Sequence, residues 1–260
     1  MDVRFLLDKP WLIFMTVCVT LFLSAVLGSR LALTTRINDD SHHHEHITGL
    51  REGLFVLLGL LLGFTVAIVL PRYDQRSQLV VDEANAIGTT MLGAEILPEP
   101  QRGKSLELLR KYVAVRRDFA GQTLLDRPAL DRETQRTKAL QWQLWQEIVE
   151  VKRENETTVI EPYMKFLSVM IEVAEKRLAA FENRIPLTVW LIIFLVAAFQ
   201  SFATGFSLKR WFWFSLVTTP MVVAALMALL ASLDSPHTGA IGIEQNSMER
   251  LAHDVTDEKR

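Results

Sequence analysis

The sequence predicts an all-α membrane protein, with four transmembrane helices and a helical cytoplasmic domain inserted between the second and the third. Three observations predict it. Half of the 260 residues are hydrophobic and 22% are charged. The two kinds are segregated: apolar runs cover Trp11 to Leu33, Gly53 to Leu70, Leu187 to Phe206 and Trp211 to Leu233. Between the second and third runs, apolar residues recur at three- and four-residue steps, the period of a helix with one face to bury.

A hydrocarbon core about 30 Å thick needs roughly 20 residues of helix at about 1.5 Å each, and each run is long enough. Arg4 and Lys9 before the first run suggest a signal peptide, but the run exceeds an h-region of about 7–15 residues, so we read it as a span. The chain then divides into an N-terminus and first span (1–33), a His-rich external loop (34–52) and a second span (53–70). A helical cytoplasmic domain (71–185), a third span (186–208), a fourth (209–233) and a charged tail (234–260), expected to be mostly exposed, complete it.

Four crossings put both termini and the large insert on one side. Near the membrane that side carries Arg4, Lys9, Arg72, Arg76, Lys176, Arg177 and Arg184, against Arg30, Arg36, Arg51, Lys209 and Arg210 opposite. The cationic bias makes the insert cytoplasmic.

Within the insert, Pro98 and Pro100, the stretch Gly121 to Pro128, and Pro162 punctuate the helices. The last soluble helix has the most regular stripe: Ile160, Tyr163, Leu167, Met170 and Ala174, resuming at Phe181. Arg177 falls on that stripe where Ala belongs, so it either snorkels or pairs with an acid. Pro186 marks the start of a new helix, since proline suits a first turn and not a helix interior.

Candidate chemistry is sparse. Apart from Arg30, near the end of the first run, the four runs hold no ionisable side chain. That disfavours a proton-coupled pump, which needs such groups along its path. Hydroxyl and amide side chains such as Thr65, Gln200, Ser201 and Thr204 suit helix contacts, and Cys18 suits packing. His42, His44 and His46 offer imidazoles to a divalent metal, although consecutive residues cannot all reach one ion and a solvated loop is the plainer reading. Asp82 and Glu83 are adjacent on a helix, point about 100° apart and read as a solvated face. There is no phosphate-binding glycine loop, nucleophile elbow or HExxH helix, so no enzyme and no cofactor is expected. A net charge of −2 gives no electrostatic case for nucleic acid.

The segment Leu62-Gly63-Phe64-Thr65 through Arg72-Tyr73-Asp74-Gln75-Arg76, followed by Val80, Ala84, Asn85 and Ile87, resembles the second transmembrane helix of bestrophin channels. From Gly49 onward the chain is similar to bacterial bestrophin-like membrane proteins, through GLLLGF, RYDQR, VDEANAIGT, LPEP and RIP. The resemblance implies a homo-oligomer in the bacterial inner (plasma) membrane, a pentamer by analogy, passing small inorganic ions. It places Val56, Leu60 and Phe64 at a hydrophobic neck, and Arg72, Tyr73, Asp74 and Arg76 at the cytoplasmic end of the second helix. The bestrophin double aromatic is reduced here to Tyr73, Pro71 precedes Arg72, and the acidic calcium clasp of the animal proteins is missing. The other function compatible with the sequence is a non-conducting membrane scaffold or sensor working through its cytoplasmic helices.

Overall fold

The computed structural model describes residues 9–34, 41–119, 127–154, 160–207, 213–235 and 246–257. All regular structure among them is helical: α1 (Pro10–Thr34), α2 (Ser41–Ala94), α3 (Gln101–Phe119), α4 (Arg127–Glu154), α5 (Ile160–Glu182), α6 (Leu187–Ser207), α7 (Trp213–Asp234) and α8 (Asn246–Asp257). Four segments are long and apolar enough to cross a membrane: α1, α2 from His46, the α5–α6 stretch Ile160–Ser207, and Leu216–Asp234 of α7. The chain forms two compact units. One comprises residues 1–72 and 184–242, the other 73–183 and 243–260. The helix α2 contributes to both.

In the first unit α1 packs against α6 and α7, and α6 against α7. The buried side of α1 is a seam of Ile13, Val17, Leu21, Ala25, Gly28 and Ala32, at steps of three and four. Its last three members are small, as helix contacts in a bilayer require where apolar side chains gain nothing over lipid. At this crossing the backbones nearly touch: a Cβ on Gly205 would lie 1.8 Å from the Ala25 carbonyl oxygen, and one on Gly28 would lie 2.2 Å from that of Phe202. Ser24 adds a hydrogen bond from Oγ to the Ala198 carbonyl at 2.9 Å. Gln200, Ser201 and Thr204 of α6 are buried, in keeping with a role in helix contacts.

Residues 183–186 are non-helical, so α5 and α6 are separate helices, as Pro186 predicts. The Asp234 carboxylate at the end of α7 accepts from the Ile185 amide at 3.2 Å, satisfying a donor just ahead of α6 that has no intrahelical partner.

In the second unit, residues 73–94 of α2 pack with α3, α4, α5 and α8 around one core. Its fully buried members include Ile87, Leu109, Tyr112, Leu144, Tyr163, Leu167, Met170 and Met248. The α2–α5 approach is tight, because a Cβ on Gly93 would come within 2.6 Å of the Phe166 ring and the Thr90 hydroxyl donates to the Phe166 carbonyl at 3.2 Å.

Two expectations change. The segment read as an external loop from 34 to 52 is helical from Ser41, because no proline separates it from the apolar run and the helix simply extends. The tail read as mostly exposed forms α8 over Asn246–Asp257, which packs on α3 and buries Met248 completely. Dense charge in that tail obscures one apolar face.

The Gly205 crossing yields a prediction. Gly205→Ala puts a methyl group into backbone atoms that cannot yield, and it costs on the order of 3 kcal/mol. Gly53→Ala, where nothing lies within 4 Å, is neutral or slightly stabilising. Thermal unfolding of the purified protein in detergent measures both.

Candidate functional site

Along the apolar part of α2, one stripe is buried and the rest is open. Leu58, Leu62, Thr65 and Val69 are the buried residues between Arg51 and Leu70. At about 100° per residue these four fall within roughly 60° of one another, and Val56, Leu60 and Phe64 centre roughly 190° away. Those three are 69%, 52% and 60% exposed. The structure therefore places all three neck candidates on one face, directly opposite the side by which α2 is held. Thr65 turns its hydroxyl back to the Leu61 carbonyl at 2.7 Å, which keeps the buried stripe free of an unpaired donor.

Beyond Leu70 the helix continues through Pro71, and its side chains diverge in role. Asp74 is exposed, Arg72 and Tyr73 are half-buried, and Arg76 is buried. The four residues that the resemblance places at the end of the second helix thus differ in exposure. They point around the helix.

The strongest polar constellation lies farther along α2. Glu83 is 0% exposed and is gripped by two arginines from two other helices. Arg116 of α3 donates from Nε to Oε1 and from Nη2 to Oε2, the latter at 3.1 Å, in a bidentate fork. Arg177 of α5 donates from Nη1 to Oε2. Both arginines are buried. Burial by itself would raise the Glu83 pKa, but the charges of Arg116 and Arg177 and their hydrogen bonds outweigh it and hold the carboxyl below its ordinary value of 4.5. Beside them, burial pushes the Tyr112 phenol up to about 12, so it stays neutral. Its oxygen accepts from Gln141 Nε2 of α4 at 3.2 Å.

The remaining candidates do not assemble. The side chains of His42 and His44 lie outside the described residues, His46 is exposed, and no group of three or more metal-binding side chains occurs among the described residues. Cys18 is a free thiol, half-buried in α1.

A family profile for the bestrophin-like domain matches residues 16–248 of this chain. The protein is a member of the bestrophin-like family. No curated protein and no solved structure gives a match. For a bestrophin-like protein, the match bears out the family resemblance, and it takes in the first candidate span from residue 16, the other three spans and most of the second unit.

The main correction to the sequence reading concerns Glu83 in this bestrophin-like chain. It is buried and paired, whereas adjacency to Asp82 suggested a solvated face; Asp82, half-exposed, fits that description alone. One signal was present. Arg177 on an otherwise apolar stripe left two readings, snorkelling or an acid partner, and Glu83 is spaced three to four residues from Val80 and Ile87, both buried, on the inward side of α2.

Glu83→Gln leaves two buried guanidinium groups without their shared counter-charge, and it destabilises the protein by about 3–5 kcal/mol. Replacing all three together, as Glu83→Met, Arg116→Leu and Arg177→Met, recovers part of that loss. Because the folded-state pKa of Glu83 is depressed, its contribution is complete above the unfolded value near 4.5. It is lost as pH falls from there through the folded value. Unfolding midpoints that stay level from neutrality to about pH 5 and fall in acid, with a shallower fall in Glu83→Gln, are the expected outcome.

Proposed function

We propose that this bestrophin-like protein is a homo-oligomeric ion channel whose pore is lined by α2, with Val56, Leu60 and Phe64 forming an apolar neck. The observation that carries the reading is the open face of α2. Three large apolar side chains at four-residue spacing stand exposed on the side opposite the buried stripe, on a helix that the family match covers. In a ring of copies that face can line an axis, where an apolar constriction controls conduction by excluding or admitting water. Scarcity of ionisable groups in the spans fits passive flow of small inorganic ions better than proton-coupled transport.

In this reading the segment 71–185 is a cytoplasmic domain inserted between the second and third spans, and both termini are cytoplasmic. The support is the excess of Lys and Arg flanking the spans on that side. The protein resides in the bacterial inner membrane, and subunit number follows the bestrophin analogy to five.

Reconstituted full-length protein gives discrete currents in planar bilayers. Replacing Val56, Leu60 and Phe64 together by Ala widens and wets the neck, which raises open probability or unitary current several-fold, with the unfolding midpoint little changed. Protein that is properly folded yet electrically silent, in parent and triple variant alike, points instead to the non-conducting scaffold.

A further inference from the structure

The face pattern of α2 does not stop at Leu70. The buried stripe Leu58, Leu62, Thr65 and Val69 recurs eighteen residues on as Arg76, Val80, Glu83 and Ile87, all of them buried. At about 3.6 residues per turn, eighteen residues make five whole turns, so the buried side of the helix stays in register through Pro71. The open side does the same. Eighteen residues past Val56, Leu60 and Phe64 stand Asp74, Gln78 and Asp82. Asp74 and Gln78 are exposed and Asp82 is half-exposed, and Gln78 donates from Nε2 to Asp82 Oδ1 at 2.9 Å.

Charge on α2 is sorted by the same faces. Its arginines are on the buried side: Arg51 precedes Leu58, Arg72 follows Thr65 and Arg76 follows Val69, each by seven residues, which is about two turns. Arg51 donates from Nη1 to Ser207 Oγ of α6 at 3.3 Å, Arg72 is half-buried with its Nη1 enclosed, and Arg76 is 4% exposed. The helix has no lysine. Of its acids whose side chains are described, Glu83 is taken by Arg116 and Arg177 and Glu52 lies 3.6 Å from Arg51. Asp74 and Asp82 remain, on the open face. A passage lined by that face meets an apolar stretch and then carboxylates, with no arginine or lysine of α2 to balance them.

We propose that Asp74 and Asp82 set the charge selectivity of the pore and make it a pathway for small inorganic cations. The inference rests on the reading of α2 as the pore-lining helix. In a ring of copies each aspartate becomes a ring of carboxylates, roughly 27 Å along the helix from the neck residue it aligns with. Such rings raise the local concentration of cations and repel anions. The apolar neck controls whether ions pass, and the aspartates control which sign arrives.

The test uses the full-length protein in planar bilayers with potassium chloride at unequal concentrations on the two sides. The reversal potential of the parent is displaced from zero toward the potassium equilibrium potential, so potassium is several-fold more permeant than chloride. Asp74→Asn and Asp82→Asn each lower that ratio, the double variant brings it close to unity, and Asp74→Lys inverts it. Asp74→Glu keeps it, and so does Asp131→Asn, which neutralises an exposed acid of α4. In the parent the preference weakens as salt is raised on both sides, because carboxylates open to solvent act through a screened field. If one of the two single variants fails to fold, the other carries the test. Equal permeabilities or a chloride preference in the parent, or a ratio that the Asn variants leave unmoved, overturn the proposal while an α2-lined channel stands. Folded protein that is silent in every gradient removes the channel reading and this inference with it.

Discussion

One carboxylate organises the helical unit. Glu83 on α2 is shared by Arg116 of α3 and Arg177 of α5, so three helices from distant parts of the chain meet at its two oxygens. An ion cluster of this kind is a poor source of net stability, because desolvation consumes most of the Coulomb attraction. Its value is directional. An apolar core tolerates sliding of one helix along another, whereas a bidentate fork fixes rotation and register together. The core around Tyr112, Leu167 and Met170 supplies the burial, and Glu83 determines which way α2 faces within it.

The membrane unit is built by different means. There the α1–α6 crossing depends on the absence of side chains at Gly28 and Gly205, and close backbone contact takes the place that ion pairing has in the helical unit. The helix α2 belongs to both constructions. Its apolar part is anchored by the narrow stripe Leu58, Leu62, Thr65 and Val69, which leaves the face of Val56, Leu60 and Phe64 uncovered.

Much of this was legible in the sequence. The four spans follow from run length, the helix break from Pro186, and the α5 stripe from its three- and four-residue steps. That Val56, Leu60 and Phe64 share one face of α2 follows from their i, i+4, i+8 spacing. What stayed hidden shares a cause: it depends on residues brought together from far apart. Arg177 announced a missing partner, but its acid lies 94 positions away, and neighbouring Asp82 disguised Glu83 as surface. The burial of Met248 was masked by the charge around it in α8.

The central claim is that α2 faces an axis shared by several copies of the chain. Imaging of the purified full-length protein at side-chain resolution tests it most directly. The account predicts a closed symmetric ring with α2 innermost and with Val56, Leu60 and Phe64 narrowing a central passage. A monomer, or a ring in which those three side chains meet lipid at the periphery, would contradict it.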